Sequence, residues 1–215
     1  MEIWNEYWPM FLHGLYVTVY ISAAGMLMGS VLSLIIFALG QVPNRLPSLL
    51  VAIYISFFRG NPVLILAFLC YYVLPMVLGI DISVFWASVL ALGLNTSAFT
   101  AEILRAGLSA VHVGQFEAGT SLGMNKFNLW RHIIIPQIFY KIIPPLTSEF
   151  IILIRATPAL SAIALVELTR TAQIVVNDTY HTIAPFVIAA ILYFIFITVF
   201  EYTTRILEVK TLQYR

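Results

Sequence analysis

With 215 residues, 61% of them apolar, 10% charged and a net charge of +1, the chain falls well below the roughly 25% charge of a soluble domain. A globule of this length would have to coat itself in apolar side chains, so an ordinary soluble fold is excluded and an integral membrane protein remains. No basic stripe is present to neutralise phosphates, which excludes a nucleic-acid binder, and the single Cys70 excludes an internal disulfide.

The opening MEIWNEYWPM is acidic and aromatic, unlike the basic start of a secretory signal. A span needs about 20 apolar residues, and five stretches supply them: about Leu15 to Leu39, Leu49 to Leu74, Val84 to Leu108, Ile138 to Leu165 and Ile183 to Leu207. The first and last run uninterrupted. The second contains FFRGNP (Phe57 to Pro62), the third the polar stretch GLNTSAFTAEILR (Gly93 to Arg105). The fourth carries Pro144-Pro145 and RATP (Arg155 to Pro158). Basic residues gather on one side: Arg45 after the first span, Lys126 and Arg131 after the third, with Arg105 and Lys141 at its margins, and Arg205, Lys210 and Arg215 in the tail. The positive-inside rule then predicts an outer N-terminus and a cytoplasmic C-terminus, with Trp4, Tyr7 and Trp8 in the outer interfacial belt. The expectation is an all-α integral membrane protein of five transmembrane helices forming one domain, residues 1–215.

Polar groups at membrane depth are costly and need a partner or a wet cavity. Arg59 lies about ten residues, some 15 Å, into the second span. Beside it Gly60 and Pro62 interrupt the hydrogen-bond ladder, so Arg59, Pro62 and Glu102 read as gating or structural positions. Glu102 and Arg105 are three apart and can pair. Asn95 and Thr96 in the third span, and Arg155 and Thr157 in the fourth, read as candidate substrate contacts. Asn95 suits the carboxylate or ammonium of an amino acid and equally an ordinary interhelical bond. Arg155 could meet a carboxylate of a solute or of another helix.

Catalysis has little to stand on. His13, His112, His132 and His181 lie on different segments without metal-ligand spacing, and no GxxxxGK[ST] run exists to cradle a nucleotide. If ATP drives the process, another subunit hydrolyses it.

The stretch FEAGTSLGMNKFNLWRHIIIPQ (Phe116 to Gln137) resembles the signature of bacterial ABC importer membrane subunits. That signature is Glu-Ala-Ala, three residues, Gly, nine residues, Ile, one residue, Leu-Pro. Here Glu117-Ala118-Gly119, Gly123, Ile133 and Ile135-Pro136 keep every interval, with Gly119 for the second alanine and Ile135 for leucine. Further matches are similar to the polar amino acid branch, which takes up histidine, glutamine, glutamate, arginine or opines. They are Phe58-Arg59-Gly60-Asn61-Pro62, AFTAEILRAGL (Ala98 to Leu108), Ile143-Pro144-Pro145, Ser148-Glu149-Phe150-Ile151 and Glu167 to Gln173.

The resemblance implies the type I ABC importer permease fold and a binding-protein-dependent permease subunit in the bacterial cytoplasmic membrane. It would pair with a second permease subunit, identical or paralogous, two ABC ATPase subunits and an extracytoplasmic amino-acid-binding protein. This chain would be a transport subunit rather than an enzyme and would hold no cofactor; ATP and Mg would sit on the partner ATPase. It also implies a cytoplasmic coupling loop at about 112–136, two short helices joined at Gly123, set into a cleft of the ATPase. Glu117, Ala118, Gly119, Leu122, Gly123, Met124 and Phe127 would make that contact. Many relatives carry Lys-Asp-Thr-Ser-Leu where this chain has Arg155-Ala156-Thr157-Pro158-Ala159-Leu160, so Ala156 withholds a carboxylate suited to a cationic solute. The alternative is a secondary transporter driven by an ion gradient, which would show inverted repeats and membrane carboxylates for ion coupling.

Overall fold

The computed structural model describes the backbone of residues 2–212 and the side chains of residues 6–206. The side chains of Trp4, Lys210 and Arg215, used above for orientation, lie outside the described residues. Among the described residues ten α-helices follow in order: α1 (Glu2–Gly40), α2 (Arg45–Gly60), α3 (Val63–Phe68), α4 (Leu74–Leu78), α5 (Val84–Ser109), α6 (Val113–Ser121), α7 (Lys126–Leu129), α8 (Ile135–Ala156), α9 (Leu168–Thr179) and α10 (Ile183–Leu212). The described residues hold no strand. Wide π turns at Leu69–Val73 and Trp130–Ile134 join α3 to α4 and α7 to α8, and a 3₁₀ stretch, Thr157–Ile163, extends α8.

Among the described residues four continuous helices, Glu6–Gly40, Val84–Ser109, Lys126–Ile163 and Ile183–Ile206, are long and apolar enough to cross a membrane. The second expected span is a pair, Arg45–Gly60 and Val63–Leu78, bent by 106° at its break, and counting it as one gives five. Two other expectations change. The polar run Gly93 to Arg105 does not interrupt α5: Asn95 reaches across to α2, and Ser97 bonds both across to Tyr54 and back to its own helix. Ser97 Oγ donates to the Leu94 carbonyl at 2.7 Å. The fourth span begins at Lys126 rather than near Ile138, since α7 runs through the π turn into α8.

Helix α1 packs along α5 through small residues. A Cβ on Gly29 would fall 2.9 Å from the Gly93 carbonyl oxygen and from Thr96, so only glycine permits this approach. Their shared core joins Ile21, Leu66, Ala91, Leu92, Leu153 and Leu160, with Cys70 buried inside it as a small apolar side chain. A second cluster, Phe11, Leu168, Ala172, Val175 and Ala189, ties α9 to α1 and α10. Helix α2 has no fully buried residue; it is held by Phe58 packing against the core and by polar contacts to α5.

Candidate functional site: a stitched helix break, a buried polar cluster and a docking loop

The break after α2 is a question of orphaned carbonyls. Pro62 has no N–H, so the Phe58 carbonyl four residues earlier loses its helical donor. Asn61 turns extended, with φ −104 and ψ 138, and the Phe57 carbonyl loses its own. Two side-chain amides replace them: Asn95 Nδ2 of α5 donates to the Phe58 oxygen at 2.7 Å, and Asn61 Nδ2 to the Phe57 oxygen at 2.7 Å. Tyr54 and Ser97 hydroxyls meet at 2.7 Å one turn away. Asn95 is therefore committed to the break. Replacing it with leucine should lower stability by about 1–2 kcal/mol, read as a fall in thermal midpoint in detergent. Ser88→Ala should move it little, because Ser88 only bonds back to Val84 within its own helix.

The stitched break places Arg59 over the Phe99 ring, 5.0 Å from its centroid, with Nη1 3.7 Å from Glu102. Glu102 also takes Arg105 through two bonds, at 3.0 and 2.5 Å. The expected pairing of Glu102 with Arg105 is thus present, and Arg59 joins it.

Deeper in the bundle the polar groups are unpaired. Thr96 and Thr100, one turn apart on α5, are buried with hydroxyls that meet no partner among the described residues. Glu149, 5% exposed, comes from α8. It stands beside Thr96 without closing a hydrogen bond to it. Buried hydroxyls of this kind are usually satisfied, which makes Thr96 and Thr100, with Glu149 beside them, a candidate cluster for polar contacts. The candidate substrate residues separate accordingly. Thr96 joins this cluster. Thr157 is buried and bonded to the Ile154 carbonyl at 2.8 Å and to the Tyr193 hydroxyl at 3.3 Å. Arg155 is exposed in the last turn of α8, with no bond or ion pair among the described residues. Glu149 stands in this cluster although it is not among the candidate substrate contacts named above. Its signals in the sequence were a carboxylate in an apolar span and its place in the Ser148-Glu149-Phe150-Ile151 match.

Beyond the C-terminal end of α8 lies a second polar knot, joined to Thr157 through Tyr193. Glu167 caps α9, accepting from the amides of Thr169 (2.9 Å) and Arg170 (2.7 Å) and from the Tyr193 hydroxyl (2.7 Å). Leu168 N donates to Thr18 of α1 at 3.2 Å. Burial pushes the Glu167 carboxyl above its ordinary range, and these donors only partly offset it.

The loop Val111 to Ile134 folds over a small core of Val111, Leu129 and Ile134. Helix α6 ends in a Schellman arrangement: Met124 N bonds to the Gly119 carbonyl at 3.1 Å and Gly123 N to Thr120 at 3.0 Å. That motif needs a left-handed residue, and Gly123 supplies it at φ 74. Asn125 then caps α7 through the Asn128 amide at 2.8 Å. Gly119 is buried, and an alanine Cβ there would stand 2.3 Å from Leu129 Cδ1. The departure from the Glu-Ala-Ala pattern is thus a packing exchange, with Leu129 filling the space of the missing methyl. Gly119→Ala should destabilise by about 1–3 kcal/mol, and the double variant with Leu129→Val should recover most of it, a non-additivity checked by a thermal double-mutant cycle. Outward, the loop shows Glu117 and Ala118 with Leu122 (80% exposed) and Phe127 (68%), and Met124 partly so. Glu117 makes no ion pair among the described residues.

A family model described as binding-protein-dependent transport system inner membrane component matches residues 21–213. A Rickettsia bellii protein named for a glutamine transport system permease is 34% identical, over 92% of this chain and 90% of its own length. The arginine transport system permease protein of Bacillus subtilis is 32% identical, over 94% and 92%. A crystal structure of an amino acid ABC transporter with histidines superposes with a TM-score of 0.90 at 35% identity, covering 96% of each chain.

Proposed function

Because the chain belongs to the family of binding-protein-dependent transport system inner membrane components, we propose that it passes a polar amino acid inward across a bacterial cytoplasmic membrane as one permease subunit of an ATP-driven importer. Its fold is the type I ABC importer permease fold, and it is a transport subunit rather than an enzyme. An ion-gradient-driven carrier is not favoured, since the relatives and structural neighbours are ABC transporter permeases.

The observation that carries this reading is the loop: an exposed Glu117 beside exposed Leu122 and Phe127, on a seat made rigid by Gly123 and Leu129. A carboxylate suits a charge-assisted bond to a basic group of an ATPase, and the apolar side chains suit a cleft. Lys126 and Arg131 in the same loop favour the cytoplasmic side. ATP and Mg would be held there by the partner, and two permease subunits would enclose the path. For the solute, Thr96, Thr100 and Glu149 form the contact we favour, with Arg155 nearer the outer mouth; Asn95 and Thr157 support the wall. Pro62, Arg59 and Glu102 shape the broken helix beside it.

The test is reconstitution with an ABC ATPase and an amino-acid-binding protein, measuring ATP hydrolysis stimulated by the loaded binding protein. Stimulation should appear and should fall at least about tenfold in Glu117→Ala, while membrane insertion is kept. Uptake that persists without any ATPase would overturn the reading.

A further inference from the structure

The Arg59–Glu102–Arg105 group opens on a groove of about 470 Å³ between the end of α1, α2 and the last turns of α5. Gln41, Ser48 and Ser56 line it with the three ions. It lies at the loop end of the bundle, since α5 closes at Ser109 and α6 begins at Val113. It is separate from the Thr96–Glu149 cluster, none of whose members lines it. Its size falls within the ~300–1,000 Å³ of small-molecule sites.

The charges in the groove do not cancel. Two guanidinium groups face one carboxylate, an excess of one positive charge. Glu102 engages Nε and Nη2 of Arg105, and Arg59 only at 3.7 Å. A guanidinium has five N–H donors, so donors remain on both arginines, whose side chains are 42% and 65% exposed. A second carboxylate could therefore be bound by Arg59 and Arg105 without displacing Glu102. Glu102, beside it, is the acceptor that an ammonium on the same molecule requires. Gln41, Ser48 and Ser56 offer hydrogen bonds to a polar side chain. The set is complementary to a zwitterion.

We propose that this groove is a second amino acid site, on the discharge side, and that product bound there slows turnover. The proposal rests on the reading of the chain as an amino acid permease. An amino acid bridging Arg59 on α2 to Arg105 on α5 clamps the broken helix to its neighbour. It opposes any transport step in which the two helices part, because it binds the clamped state more tightly.

The test uses the full assembly in vesicles, with binding protein and solute sealed inside, the ATPases facing the bath, and L-glutamine or L-arginine titrated into the bath. ATP hydrolysis should fall as the bath amino acid rises. Each variant is normalised to its own uninhibited rate. The concentration for half-inhibition should rise about tenfold in Arg105→Gln, the loss expected for one charge-assisted bond, and recover in part in Arg105→Lys. Ser56→Phe, which fills the groove one turn before Arg59, should raise it as well. The matching keto acid, lacking the ammonium, and the matching amine, lacking the carboxylate, should each inhibit more weakly than the amino acid. No inhibition of the wild type at millimolar amino acid would overturn the site, as would inhibition unchanged in both Arg105→Gln and Ser56→Phe. Inhibition that follows the anionic phospholipid content of the vesicles would also overturn it, assigning the groove to a lipid headgroup. Absence of any stimulation by loaded binding protein would instead remove the permease reading, and the site with it.

Discussion

Glu167→Ala should cost about 3–5 kcal/mol of stability and lower the thermal midpoint more than any loop substitution. The carboxylate is fully buried and answers three donors at once: two amides of the first turn of α9 and the Tyr193 hydroxyl. Losing an N-cap costs about 1 kcal/mol, and each buried donor left without an acceptor adds about 1–3. Tyr193→Phe removes one donor and leaves the cap, so its effect should stay near 1 kcal/mol. Glu167→Gln should fall between, because its amide nitrogen must face a donor. The pH dependence has a defined sign. Burial raises this carboxyl in the folded state, so the folded protein holds the proton to higher pH than the unfolded chain. Stability from this group is full below the unfolded value, ~4.3, and is lost as pH rises through the folded one. Thermal midpoints taken from about pH 4 to 8 should decline for the wild type over that window relative to Glu167→Gln, which cannot titrate. Equal slopes for both would show that the carboxyl does not titrate in the folded protein as burial requires.

Hydropathy located the apolar centres of the spans but not the helix ends. α1 begins at Glu2 and α7 runs on into α8 because helices extend past the membrane as long as backbone bonds are made. The break at Asn61-Pro62 was legible, since proline and glycine act locally, and so was the loop, because Gly123 carries a backbone demand that no distant residue alters. What each buried polar residue does was not legible. Asn95 finds its acceptor 37 positions away, Glu167 its phenol 26 away, and Thr18 its amide donor 150 away. Spacing along one helix says nothing about these partners, so Asn95 and Thr157 looked as available as Thr96. The committed groups and the unpaired ones separate only when helices are packed.

Glu149 is where that separation has the largest functional consequence. A buried charge without a partner weakens a fold, and replacing it by an apolar side chain of similar size is commonly neutral or stabilising by about 1–4 kcal/mol. If Glu149 were a structural post, its removal would instead lower the thermal midpoint. The expected result is a split: Glu149→Leu raises the thermal midpoint while solute uptake by the reconstituted assembly falls about 100-fold or more. That fall is the scale for truncating one side of a buried charge pair. Glu149→Gln, nearly the same shape and uncharged, should lose most of the uptake too and so assign the loss to charge rather than volume. The position also bears on Ala156, where the family resemblance implies an aspartate. Seven residues separate the two, about two turns, so they share one face of α8. On the proposed reading, Glu149 would be the carboxylate this chain keeps for the solute ammonium, beside Thr96 of α5. Ala156→Asp should accordingly shift preference toward cationic amino acids in competition uptake assays only while Glu149 is intact, and the double variant Ala156→Asp with Glu149→Gln should show whether one carboxylate can stand in for the other.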